Sequence, residues 1–136
     1  RTIKFMVTTA SFFTIGFGLW HFTVPKVWKW YQYIEASATE LVLAVKAINI
    51  FFSLSLVLFG MINILLIQLN YKNRFSVIVV LSASLILWST RVILQLVSPQ
   101  GTINPALRYG MLAAFFIIAA IYLSALVIFV TGNTSG

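Results

Sequence analysis

Four apolar stretches, each long enough to cross a bilayer as a helix, constrain this chain more than any other feature. A helix needs ~20 apolar residues to span a hydrocarbon core of ~30 Å. Residues 5–24, 47–69, 75–97 and 107–130 all reach that length. Inside hydrocarbon no water pairs with the backbone, so such stretches bond internally as helices. The expected fold is all-α: an integral membrane four-helix transmembrane bundle, one domain over residues 1–136, with an interfacial aromatic segment after the first helix. Composition agrees. The chain is 61% hydrophobic and only 8% charged, against roughly 25% charged residues in a soluble domain.

The connections carry the turn chemistry that separate spans require. Residues 25–33, PKVWKWYQY, open with a proline that should stop the first helix. Their alternation of Lys with Trp and Tyr suits a short amphipathic segment at headgroup level. Ser37 or Thr39 is expected to cap the second helix, with Glu40 in its first turn, so that this helix starts outside the membrane. Residues 70–74, NYKNR, read as a tight antiparallel hairpin, and residues 98–105, SPQGTINP, as a rigid polar loop. The tail, residues 131–136, reads as disordered. The first span lacks the small-residue cleavage site of a signal peptide directly after it.

Charge and missing residue types exclude several functions. Cys is absent, which removes disulfides, thiolate metal sites and Cys nucleophiles. The two acids are Glu35 and Glu40, and the one His is His21, so a single copy holds no carboxylate dyad or multi-His metal centre within the membrane. The net charge of +7 comes from Lys and Arg at the ends of apolar segments. That distribution suits anionic lipid headgroups, not nucleic acid. An even number of spans puts both termini on one side. The basic hairpin at Lys72 and Arg74 favours the cytoplasmic side of a prokaryotic cell membrane, although the Lys/Arg count on the two sides is balanced.

Polar residues inside the spans fall on stripes. Ser11, Thr14, Gly18 and His21 share one face of the first helix, and Lys46, Asn49, Ser53 and Gly60 one face of the second. Ser84, Trp88, Arg91, Gln95 and Ser98 share a face of the third, and Gly110, Ala113, Ala120 and Ser124 one side of the fourth. For the small and hydroxyl residues, close helix packing is the ordinary reason. The larger groups are placed by antiparallel threading at the membrane face opposite the termini. His21, Glu40, Lys46, Asn49, Arg91 and Gln95 are therefore expected to line a ligand-binding polar pocket there. Arg91 stands about 7 Å from the midplane of its span. It either snorkels to the interface or turns inward to share an acceptor with Gln95, to meet Glu40, or to bind an anionic or carbonyl-bearing ligand.

No catalytic signature is present: no Ser–His–Asp set, no HExxH and no Walker sequence. A quinone or lipid suits the pocket, with Trp20, Phe52 and Trp88 as apolar walls. Haem is disfavoured, because His21 would need a second axial His or Met, and of Met6, Met61 and Met111 only Met111 could lie at its depth. Residues 16–25, GFGLWHFTVP, are similar to the first-span ending of the DoxX-like group of small four-span bacterial membrane proteins. That resemblance extends in outline to the opening of the second span at Glu40. It implies an accessory or quinone-linked membrane role, with residue-level correspondence at Gly18, His21 and Pro25. The expected function is a non-catalytic or accessory subunit that binds a lipid, quinone or partner protein and forms a homo-oligomer or part of a membrane complex. The alternatives are an oligomeric small-solute or ion transporter and a haem- or quinone-linked redox protein. The topology is testable in this Cys-free chain. Single cysteines at Thr2 and Ser135 should be labelled by an impermeant reagent from the same side of the membrane, and labelling from opposite sides would remove an odd number of spans.

Overall fold

The computed structural model describes residues 2–100 and 104–132. All regular structure among them is helical: α1 (Thr2–His21), α2 (Val24–Val27), a 3-10 helix (Trp30–Tyr33), α3 (Thr39–Leu69), α4 (Arg74–Val97) and α5 (Pro105–Gly132). Four of these, α1, α3, α4 and α5, are long and apolar enough to cross a membrane, and the chain is a multi-pass membrane protein in fold. Its surface agrees. Phe5 is 73% exposed and Phe75 77%, which is costly against water and costs nothing against lipid tails.

The helix ends follow local chemistry. α1 stops at His21, short of the expected boundary at residue 24. Thr23 folds back there, its N–H and Oγ1 both donating to the Trp20 carbonyl at 2.9 and 2.7 Å. Pro25 lies in the first turn of α2 instead of merely ending α1, because its missing N–H costs nothing there. The aromatic segment is thus α2 followed by the 3-10 helix. The two are joined at Lys29, which adopts the left-handed conformation at φ 55°. α3 opens well before its apolar stretch. Val42 N–H donates to Ala38 O at 3.1 Å, and Glu40 lies in the first turn, where the helix dipole favours an acid. Its 31 residues give about 46 Å of helix, more than the hydrocarbon core requires.

The packing divides into two units. In the unit Ser11–Ile62, α1 and α3 run antiparallel and touch through glycine. A Cβ on Gly18 would stand 2.8 Å from Ser53 O and 2.9 Å from Leu56 Cβ. One on Gly60 would stand 2.5 Å from Ile15 Cγ1 and 2.8 Å from Ser11 O. The backbones approach this closely only because no side chain intervenes.

The second unit comprises Arg1–Ala10 and Asn63–Gly136. Its core is Val7, Ile67, Val77, Leu81, Trp88, Phe115, Tyr122 and Phe129, all buried. The 70–74 hairpin is as tight as expected. Asn73 N–H donates to Asn70 O at 3.0 Å, and Asn73 Oδ1 accepts from Ser76 N–H at 3.1 Å as the N-cap of α4. Asn104 caps α5 in the same way through Ala106 N–H at 3.0 Å, with Pro105 as first residue. At the far end of α5, Arg74 donates to the Val130 carbonyl at 3.2 Å, satisfying a C-terminal acceptor. Thr131 and Gly132, expected in a disordered tail, continue α5. Thr131 Oγ1 closes the last turn on Val127 O at 2.7 Å. The rest of that tail, residues 133–136, lies outside the described residues.

The glycine contacts give a test with an internal control. Gly18→Ala and Gly60→Ala should each destabilise by about 1–3 kcal/mol, as overpacked contacts do. A Cβ on Gly16 meets nothing within 4 Å, so Gly16→Ala should be neutral or stabilising by up to about 1 kcal/mol. Reversible unfolding in mixed micelles reads all three, and equal responses would remove the close crossing.

Candidate functional site

In the unit Ser11–Ile62 the site grows out of one proline. In a continuous helix, the His21 carbonyl would accept from the N–H of residue 25. That residue is Pro25, which has none. Asn49 replaces the missing donor from α3, its Nδ2 donating to His21 O at 3.2 Å. A backbone carbonyl only accepts, so this bond fixes which end of the Asn49 amide is nitrogen. Asn49 Oδ1 therefore points elsewhere. It is buried and has no hydrogen-bond partner among the described residues. Ser53, one turn further along α3 and fully buried, has its Oγ in the same condition. The two residues are i, i+4 neighbours on one helix face.

The His21 imidazole lies among aromatic rings. Phe52 is 4.7 Å away centroid to centroid at 70°, Trp30 6.0 Å at 74° and Phe17 5.7 Å at 51°. Edge-to-face contacts of this kind hold a ring in place. Lys46, on the same face of α3 as Asn49, is exposed and sets its Nζ 5.2 Å over the Tyr31 ring. Glu40 is exposed in the first turn of α3, about 14 Å along the axis from Asn49 at 1.5 Å per residue.

Arg91 and Gln95 belong to the other unit, where they fasten the connection between α4 and α5. Gln95 is buried, and both ends of its amide are used. Nε2 donates to Gln100 O at 3.0 Å and to Arg108 O at 3.3 Å, while Oε1 accepts from Gln100 N–H at 3.3 Å. Arg91 donates to Gln100 Oε1 at 2.9 Å and lays its guanidinium 4.4 Å over the Phe115 ring. The acceptor of Arg91 is thus an amide in the connecting loop, a residue the sequence stripes did not single out. Gln100 follows Pro99 in the loop and lies off the helical faces on which those stripes were traced, so periodicity carried no signal for it.

A second polar group, which includes Ser84 of the α4 stripe but was not expected as a cluster, lies deeper. Asn63 is fully buried, and its Nδ2 donates to Ser84 Oγ at 2.8 Å and to Tyr122 Oη at 3.2 Å. Ser84 passes its own proton to Val80 O at 2.8 Å. The cluster ties α3, α4 and α5 together by interhelical hydrogen bonds, typically worth about 0.6–2 kcal/mol each in a membrane. The available signal was the Asn itself, an amide inside an otherwise apolar run.

Comparison of the chain with protein-family models, with curated proteins and with solved structures finds no match.

The loop fastening is directly measurable. Gln95→Ala removes the acceptor of the Gln100 N–H and two donated bonds. A net loss near 1.4 kcal/mol is expected from hydrogen bonds of this kind, so exchange of the Gln100 amide should rise about tenfold. Amides in the middle of α4 should be unaffected. Unchanged exchange at Gln100 would show that other contacts hold the loop.

Proposed function

We propose that the protein is a non-catalytic accessory subunit of a bacterial cytoplasmic membrane, with both termini on the cytoplasmic side. In this reading it holds an amphipathic ligand at the Asn49–Ser53 face beside His21. The observation that carries the proposal is the pair of buried polar atoms, Asn49 Oδ1 and Ser53 Oγ, that lack partners among the described residues. Buried polar groups in folded proteins are nearly always satisfied, and an exception calls for a ligand or water. Asn49 Oδ1 only accepts, whereas a serine hydroxyl donates and accepts. A hydroxyl group answers both, giving its proton to Asn49 and taking one from Ser53.

Among the lipids, quinones and partner proteins that suit such a site, a quinol fits best. It brings a hydroxyl on a flat apolar ring, which matches the aromatic surroundings that Phe52 and Trp30 give His21. The resemblance to the DoxX-like group supports the same reading. Its three corresponding residues meet here: Gly18 lets α1 close on Ser53, Pro25 frees the His21 carbonyl, and His21 receives Asn49. The accessory role includes association with a second copy or with another membrane subunit.

The test is equilibrium binding of a short-chain ubiquinol, and separately of its oxidised quinone, to protein in nanodiscs. The quinol should bind more tightly than the quinone, which has no hydroxyl proton to give. Asn49→Leu should weaken quinol binding about tenfold or more, the scale of one buried hydrogen bond lost, with helicity unchanged. Equal binding of quinol by wild type, Asn49→Leu and Ser53→Ala would sink the proposal, as would no binding at all.

A further inference from the structure

A second site is carried by observations independent of Asn49 and His21. Between α4 and α5 runs an apolar groove of about 280 Å³, walled by Leu85, Ser89 and Val92 on one side and Phe116, Ala120 and Leu123 on the other. Its shape limits the occupant. A helix is 10–12 Å across with a 5.4 Å pitch, so a single turn fills more than about 400 Å³. A helix could lay only one face against the groove, whereas the volume inside it, roughly nine water volumes at ~30 Å³ each, suits a length of unbranched hydrocarbon.

Charge decides which hydrocarbon. Phe116 and Tyr109 are seven residues apart on α5, so the groove line continues to Tyr109 within about 20°. Tyr109 is 60% exposed, and the Arg108 guanidinium stands 5.3 Å over its ring. Among the described residues no hydrogen bond is made by that guanidinium, since Gln95 takes only the Arg108 backbone carbonyl. Neither acid of the chain, Glu35 or Glu40, belongs to this unit. Arg108 therefore has no side-chain counter-ion within its own unit. From Arg108 to Ala120 is about 18 Å along the helix, close to the ~15 Å depth of one leaflet's hydrocarbon. A chain lying in the groove thus brings its headgroup to the level of Arg108.

We propose that this groove holds an acyl chain of an anionic phospholipid whose phosphate pairs with Arg108. The groove runs from the middle of α5 toward Arg108 at its loop end, while Lys72 and Arg74 lie at the opposite end of the same helix pair. It is therefore a defined position and not a share of the general basic surface.

Native mass spectrometry from nanodiscs of equal phosphatidylglycerol and phosphatidylcholine tests it. Wild type should retain a lipid and prefer phosphatidylglycerol. Arg108→Gln should cut that preference about fivefold, the effect of one basic residue at an anionic surface, and Arg108→Lys should keep it. Ala120→Phe fills the groove and should remove both lipids at unchanged helicity. If that variant does not fold, Ser89→Leu fills the groove from α4 with the same expected loss. Arg74→Gln should change nothing. Three results overturn the proposal. One is an equal loss of preference in Arg74→Gln and Arg108→Gln, which means diffuse attraction. Another is lipid retention unchanged in the groove-filling variants. The third is a dimer in wild type that those variants abolish, which makes a second copy the occupant.

Discussion

In hydrocarbon, backbone groups have to pair with one another, and this requirement shapes everything else in the chain. Helices meet it without help except where a proline removes a donor or a helix ends. Pro25 is the clearest case. The His21 carbonyl it leaves open is answered by Asn49 across the α1–α3 contact. That repair fixes the Asn49 amide, which in turn aims Oδ1 away from the carbonyl and toward no described partner.

The repair depends on close approach. Gly18 and Gly60 let the α1 and α3 backbones meet at Ser53 and Ser11, and without that closeness an Asn side chain could not reach a carbonyl on the other helix. In the other unit the same requirement is met by longer polar side chains. Gln95 answers a loop carbonyl, a loop N–H and the carbonyl of Arg108 with one amide, and Arg91 adds Gln100 Oε1. These groups do structural work at a helix end, where several carbonyls lack intrahelical donors. Asn63 does comparable work near the middle of the helices.

The charges separate in a way that bears on function. The unit containing α4 and α5 has Lys4, Lys72, Arg74, Arg91 and Arg108 among its described residues and no acidic side chain. Lys4, Arg74, Arg91 and Arg108 each lie against an aromatic face, on Tyr71, Phe129, Phe115 and Tyr109. Such contacts orient a cation without neutralising it. The unit with Asn49 and His21 instead carries Lys26, Lys29 and Lys46 together with both acids, Glu35 and Glu40.

Sequence alone determined the number of spans, the positions of the turns and the all-helical class, because run length and turn residues act locally. The 70–74 hairpin and the early start of α3, with Glu40 in its first turn, were legible for that reason. So was the inward face of α4, with Ser84, Trp88 and Gln95 all buried. The end of α1 at His21 was not, since it rests on a bifurcated return from Thr23 to Trp20 that residue type does not specify. Partners were decided only by tertiary structure. That Asn49 would serve His21, that Arg91 would find Gln100, and that Asn63 would join Ser84 and Tyr122 depend on which helix faces meet and at what height. Periodicity gives the face of a residue but not the residue opposite it, and a hydrogen bond needs that opposite atom within about 3 Å.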